Sequence, residues 1–195
     1  MLTPSATPPL MKVAILRSTS IGDVVLATAC VDLLRQIPAP VQISWVGRRP
    51  ALQLIASAFP EIRPIEVDPD IVNYQEKAIQ ELRDVHFIID LQTNLRSQLL
   101  CHALKREFKI PNFVCRKRTV DRGTMTIGAR LRGRRRPLPE SLMQSPQHQF
   151  DMMTEALKQA LEVHLPVELL DGLDKIRGVP WLPTEHDLGQ KPWQK

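Results

Sequence analysis

The sequence has little of what marks membrane-spanning or exported proteins. Aromatic residues make up only 5% of the 195 residues. No stretch comes near the roughly 18 uninterrupted apolar residues that a membrane-spanning helix requires. Residues 1–10, MLTPSATPPL, have neither a positively charged start nor an apolar centre, so they do not resemble a secretory signal. We expect residues 1–10 to be a disordered leader before one well-buried domain.

Cysteine pairs and glycine-rich phosphate loops are also missing. The three cysteines, Cys30, Cys101 and Cys115, form no CxxC pair, and such a dispersed set without an export signal is typical of reduced thiols in the cytoplasm. No His, Cys, Asp and Glu residues have the spacing of metal ligands, so we expect no metal and no cofactor. Neither GxGxxG nor GxxxxGK[ST] occurs, so neither dinucleotide nor P-loop binding is indicated.

Positive charge is present, but it is concentrated in one place. The chain has a net charge of +5, and Arg116–Arg136, here called the basic segment, contains nine Lys or Arg and one acid. Such a concentration indicates an anionic partner more than a uniformly high isoelectric point would. A solvated loop and a generic polyanion-binding patch remain alternatives. Nucleic acid is disfavoured because the basic segment has no interleaved aromatic residues and no recognised DNA-binding module.

Short apolar segments alternate with segments of helical periodicity before the basic segment. The clearest strands are continuously apolar rather than alternating, and they are Lys12–Arg17, Gln42–Gly47 and His86–Leu91. That pattern is typical of a parallel sheet covered on both faces. With right-handed crossovers it predicts an α/β fold with a Rossmann-like, doubly wound parallel sheet. After the basic segment, the apolar periodicity predicts an amphipathic helix over residues 147–164. The high proline content of residues 166–195 predicts a linker.

The first polar motif, Ser18-Thr-Ser-Ile-Gly-Asp23, follows the first predicted strand. Gly22 is expected to let the backbone turn tightly or to let a ligand approach closely. We expect the next helix to begin at Val24, so Asp23 lies where helix N–H groups favour an anion. Two interpretations stay open: Asp23 caps the helix, or it accepts a proton from a substrate hydroxyl. The same ambiguity holds for Ser18, Thr19 and Ser20, because short hydroxyl residues are common in turns.

The second polar motif, Leu91-Gln-Thr-Asn-Leu-Arg96, follows the strand His86–Leu91. Asn94 is a good helix N-cap, and Arg96 then falls in the first turn, where a cation is electrostatically disfavoured. The cluster predicts a rim that binds an anionic or hydroxyl-rich ligand. The alternative is that Arg96 pairs with Asp90 or another carboxylate. A third candidate is His148, in the first turn of the long helix.

These stretches together resemble one family. MKVAILRSTSIGDVVLATACVDLLRQ, QISWVGRRPALQLI, IIDLQTNLRSQLL and HQFDMMTEALKQAL occur in the order and at the spacing of the ADP-heptose:lipopolysaccharide heptosyltransferases, glycosyltransferase family 9. The resemblance runs from about Met11 to Leu161. It implies the N-terminal domain of a GT-B glycosyltransferase, in which this domain holds the sugar acceptor and a second domain holds the nucleotide-sugar donor.

The resemblance also implies a reaction and a set of site residues. Heptose would pass from ADP-heptose to a hydroxyl of an inner-core sugar with inversion and without a metal. Asp23 matches the family's catalytic base, and the acceptor-binding positions carried over are Ser18, Thr19, Ser20, Gly22, Gln92, Arg96 and His148. The sequence departs from the family at Met152, where relatives usually carry Arg.

The resemblance finally implies partners and a domain organisation. The acceptor would be the lipopolysaccharide inner core, with its Kdo carboxylates and lipid A phosphates, and arginine forks suit both. The basic segment could also hold the protein on the inner face of the anionic inner membrane. We expect residues 11–165 to form the acceptor-side domain and the donor domain to be absent, so that the chain alone binds acceptor with little or no transfer. A non-catalytic acceptor-binding or truncated module is the alternative.

Overall fold

The computed structural model describes residues 9–67, 71–115, 149–166 and 178–181. Within these ranges strands and helices alternate, as the apolar segments predict. The elements are β1 (Met11–Leu16), α1 (Ile21–Arg35), β2 (Val41–Gly47), α2 (Arg49–Ala58), β3 (Arg63–Glu66), α3 (Ile71–Leu82), β4 (Phe87–Asp90), α4 (Leu95–Phe108), β5 (Asn112–Val114) and α5 (Gln149–His164). His148, the basic segment, the leader up to residue 8 and most of residues 166–195 lie outside the described residues.

The strands form a parallel sheet in the order β3-β2-β1-β4-β5. In β1, Val13 to Leu16 are fully buried, and all of β4 is buried. The strands are continuously apolar because side chains on both faces of the sheet are covered. One hydrophobic cluster joins the sheet to α1, α2 and α5, and a second joins its other face to α3 and α4. The predicted Rossmann-like, doubly wound sheet is therefore confirmed.

The strand order reverses direction between β1 and β4. The chain first moves outward from β1 through β2 to β3, and then returns past β1 to β4 and β5. Since α1 covers one face and α4 the other, a crevice opens between these helices at the carboxyl ends of β1 and β4. Such a topological switch point is where open α/β sheets bind their ligands.

A short C-terminal piece of the described chain, Gly178–Trp181, packs against α1. The N–H of Val179 donates to Asp32 Oδ2 at 2.9 Å, and the N–H of Trp181 donates to Thr28 Oγ1 at 2.6 Å. A Cβ at Gly178 would lie 1.9 Å from the carbonyl oxygen of Ala29, so only glycine fits there. Because these partners lie progressively closer to the start of α1, this segment runs antiparallel to the helix.

Candidate functional site

The two polar motifs meet at the switch-point crevice. Leu16 and Asp90, the last residues of β1 and β4, are paired in register, and the N–H of Leu91 donates to the carbonyl of Leu16 at 3.1 Å. The loop after β1 and the loop after β4 are therefore neighbours, although they are more than 70 residues apart in the sequence. The sheet thus brings together the motifs at residues 18–23 and 91–96.

Gln92 joins the two loops directly. Its Oε1 accepts from the backbone N–H groups of Ser18 and Thr19 at 3.0 and 3.3 Å, and its Nε2 donates to Thr19 Oγ1 at 2.7 Å. Gln92 is partly buried, and its amide braces the loop after β1 from the side of β4. The acceptor-binding roles of Gln92, Ser18 and Thr19 stay predictions, and the observed contacts are structural ones.

The start of α4 is closed by its own residues. Asn94 is the N-cap, its side chain accepts from the N–H of Ser97 at 2.9 Å, and Ser97 Oγ accepts in return from the N–H of Asn94 at 3.1 Å. Ser97 Oγ also donates to Asp90 Oδ2 at 2.8 Å. This reciprocal capping box satisfies the first N–H groups of α4, as expected for Asn94.

The start of α1 differs from the sequence-based expectation. The helix begins at Ile21, not Val24, so Gly22 and Asp23 lie inside its first turn. The N-cap is Ser20, whose side chain makes no capping hydrogen bond. Asp23 is therefore not the N-cap residue, although a carboxylate in the first turn is still favoured by the helix dipole.

The tight turn predicted at Gly22 is also wrong, because the unusual backbone belongs to Ser20. Ser20 has φ 63° and ψ 103°, and Thr93 in the opposite loop has φ 51°. Positive φ at a non-glycine residue costs about 1–3 kcal/mol, and such residues cluster at binding sites. A Cβ on Gly22 would have no atom within 4 Å. A side chain at Gly22 would thus meet open space, and the close approach of a ligand there stays a prediction.

Asp23 is held at the crevice by Arg17. The Arg17 guanidinium is 2% exposed; its Nη2 donates to Asp23 Oδ2 and its Nη1 to the carbonyl of Leu91. The Asp23 side chain is 25% exposed, so the carboxylate faces the crevice while its Oδ2 is anchored. The guanidinium and the helix N-terminus both favour the carboxylate form, which is the form that accepts a proton.

The remaining predicted residues lie apart from this pair. Arg96 is half-buried in the first turn of α4, and the ion pairs among the described residues do not include one between Arg96 and Asp90. The carboxylate of Asp90 instead accepts from Gln92 N–H, Thr93 N–H and Ser97 Oγ. His148 lies outside the described residues, so its predicted role is not tested.

Two of the buried cysteines have raised thiol pKa values. Burial raises the pKa of the Cys30 thiol, and burial followed by the nearby Asp90 raises that of Cys101 to about 12. Both residues are therefore protonated at neutral pH and poor nucleophiles. No cluster of three metal-ligating side chains exists within the described ranges. No described helix has the length and apolar character needed to cross a membrane.

Sequence reasoning did not assign a role to Arg17 or Ser97. In the sequence, Arg17 is only the polar last residue of a predicted strand. The signal for Arg17 was present, since a charged residue directly after a continuously apolar strand is buried only when it has partners. Its partner Leu91 is 74 residues away, however, and only the fold brings them together.

Comparison with known proteins places the fold. No protein-family model and no curated protein sequence matches the chain. Among solved structures, a glycosyl transferase family 9 protein from Veillonella parvula matches with a TM-score of 0.52 at 20% identity, over 76% of this chain and 40% of that one. E. coli heptosyltransferase WaaC with ADP matches with a TM-score of 0.48 at 18% identity, over 80% of this chain and 49% of that one. MurG from Acinetobacter baumannii matches with a TM-score of 0.44 at 16% identity, over 54% and 34%.

The match to the Veillonella protein agrees with the resemblance found in the sequence motifs. This chain spans half or less of the length of these structures. At such low identity the similarity shows the fold and not the activity. The chain therefore has a Rossmann-like fold similar to that of the glycosyl transferase family 9 protein from Veillonella parvula.

Proposed function

We propose that this chain is the acceptor-binding half of an inverting glycosyltransferase that transfers heptose from ADP-heptose to the lipopolysaccharide inner core. The observation that carries the proposal is the partly exposed Asp23 carboxylate, anchored by Arg17 at the switch-point crevice. A base has to be ionised, fixed in direction and open to its substrate, and this carboxylate meets all three conditions. The crevice lies where sheets of this kind bind ligands.

The chemistry assigned to Asp23 is a single proton transfer. Asp23 takes the proton of an acceptor hydroxyl as that oxygen bonds to the anomeric carbon of the donor. The bond from the anomeric carbon to the ADP oxygen breaks on the opposite side, and ADP leaves with the electron pair. The strained Ser20 backbone and the space beside Gly22 shape the wall against which the acceptor lies. The donor is assigned to a second domain.

Arg96 and the basic segment supply positive charge for an anionic acceptor. Arg96 begins the opposite wall of the crevice, on α4, where its guanidinium suits a Kdo carboxylate. The basic segment is assigned to lipid A phosphates or to an anionic membrane surface, which would place the protein on the inner face of the inner membrane. These assignments rest on charge and on the family resemblance.

The test is calorimetric titration of the chain with a Kdo-containing inner-core oligosaccharide. We expect saturable binding, and we expect Arg96→Ala to weaken it at least about tenfold, the size of one lost charge-assisted hydrogen bond. Arg83→Ala is the matched control, because Arg83 is exposed just before β4, at the opposite edge of the sheet. Equal losses for the two variants would indicate a general charge effect and would contradict the assignment of Arg96.

Two further experiments distinguish acceptor binding from polyanion binding, and a catalytic role of Asp23 from a structural one. Binding to short duplex DNA with a steep salt dependence, but not to the oligosaccharide, would mean that the basic segment binds polyanions and that the proposed function is wrong. Asp23→Asn should keep the affinity for the oligosaccharide. In any preparation that transfers heptose, the same variant should lower the rate on the order of 10²-fold or more, the usual contribution of a general base. Unchanged transfer would restrict Asp23 to a structural role.

A further inference from the structure

Hydrogen bonds hold both the backbone and the side chain of Arg17. The N–H of Arg17 donates to the carbonyl of Val46 at 3.1 Å, and its own carbonyl accepts from Trp45 Nε1 at 3.0 Å. Trp45 is fully buried in β2, so the backbone of Arg17 is fixed against the sheet. The side chain then spans from Leu91 in one loop to Asp23 in α1. Arg17 is therefore a rigid attachment point for the Asp23 carboxylate.

A second carboxylate lies near the same guanidinium. Asp90 is fully buried at the end of β4, and three hydrogen-bond donors hold it: the N–H groups of Gln92 and Thr93 and the hydroxyl of Ser97. Hydrogen bonds to a carboxylate favour its charged form. Burial lowers the pKa of Arg17, whereas the nearby Cys115 and Asp90 raise it. Asp90 thus helps to keep Arg17 charged in a position where a lone cation would be costly.

The charges of the group explain how Asp23 can act as a base beside a cation. With both carboxylates ionised, one guanidinium balances two negative charges, and the group carries a net charge of −1. When Asp23 takes up a proton, the charges of the buried Arg17 and Asp90 remain, and they sum to zero. Arg17 alone would make Asp23 a weaker proton acceptor, and Asp90 opposes that effect because like charges disfavour ionisation.

We propose that Arg17 is a positioning residue that aims the Asp23 carboxylate, and that Asp90 is the fixed counter-charge that preserves the capacity of Asp23 to accept a proton. This inference rests on the proposed function for its catalytic meaning. The charge arrangement itself can be tested without any transfer reaction. The other titratable groups that face it in the described structure are Cys115, next to Arg17, and Cys101, next to Asp90.

The experiment follows the carboxyl carbon of Asp23 by NMR through a pH titration of the whole chain. Arg17→Met should move the titration midpoint of Asp23 to higher pH, and Asp90→Asn should move it to lower pH, each by about half a unit or more. Asp84→Asn is the matched control and should leave the midpoint in place, because Asp84 pairs with Lys12 at the opposite edge of the sheet. A purely structural role for Arg17 and Asp90 would not produce shifts of opposite sign.

Arg17→Lys covers the case in which Arg17→Met does not fold. It keeps the cation but loses the fork that reaches both Leu91 and Asp23, so the midpoint should stay near the wild-type value while the Asp23 carboxyl resonance broadens. A midpoint that stays in place in Asp90→Asn, or in a folded Arg17→Met, would overturn the inference and leave the proposed function standing if the oligosaccharide binds. Opposite shifts without oligosaccharide binding would support the charge arrangement and overturn the proposed function.

Discussion

Two helices begin at the same crevice, and their first turns are built in opposite ways. The start of α4 is closed by Asn94 and Ser97, which satisfy its N–H groups and connect it to the buried Asp90. The start of α1 has an N-cap, Ser20, with no capping hydrogen bond and a strained backbone. The start of α4 is thus closed by its own side chains, whereas the start of α1 has no capping hydrogen bond from its N-cap side chain.

The largest effect on stability should come from removing the capping box of α4. Ser97→Ala removes the hydroxyl that serves both the capping box and the fully buried Asp90, so Asp90 Oδ2 loses a hydrogen-bond donor. We expect the free energy of unfolding to fall by about 2 kcal/mol, as measured by chemical denaturation. Ser20→Ala is the matched control at α1 and should change it by less than about 0.5 kcal/mol. Similar losses at both positions would mean that the two helix starts do not differ.

The next effect should come from relieving the strain at the open helix. Ser20→Gly allows φ 63° without a Cβ, and we expect a gain in the free energy of unfolding of about 1 kcal/mol. Ser18→Gly, two residues earlier, lacks that reason and should lower stability by about 0.5 kcal/mol. Thermal unfolding followed by circular dichroism would compare the two. A loss of stability in both variants would show that Ser20 is not strained in solution.

The smallest effect on stability should carry the most information about the ligand. Gly22→Ala places a methyl group in open space within a helix, so the free energy of unfolding should rise by about 0.5–1 kcal/mol. Because Gly22 is the residue next to Asp23 in the first turn of α1, binding of the inner-core oligosaccharide should weaken at the same time. Higher stability with unchanged affinity would place the acceptor elsewhere.

The sequence predicted the sheet and the pairing of motifs better than it predicted the site. Strands such as β4 were recognisable because burial on both faces leaves them continuously apolar up to the last residue, which in β4 is Asp90. Parallel strands also bring their carboxyl ends to one edge, which placed Asp23 and Gln92 in the same region. The start of α1 was missed because Gly22 and Asp23 are residue types typical of turns, whereas both lie in the first turn of the helix.

The side-chain contacts between residues far apart in the sequence are the part of the site that could not be predicted. The amide of Gln92 bonds Ser18 and Thr19, some 74 positions away, and this contact was not predicted. The role of Arg17 depends in the same way on Leu91 and Asp90. Neither pairing leaves a local pattern in the sequence, because it arises from which strands are neighbours and in what register.

The segment Gly178–Trp181 is attached to α1 by hydrogen bonds. Its hydrogen bonds to Thr28 and Asp32 and the edge-on contact of Trp181 with Phe59 fasten it to the outer side of the helix. Because it runs antiparallel to α1, it points toward the end of the helix that carries Asp23. Strain applied at Trp181 would therefore be transmitted to α1 through Thr28 and to the end of α2 through Phe59.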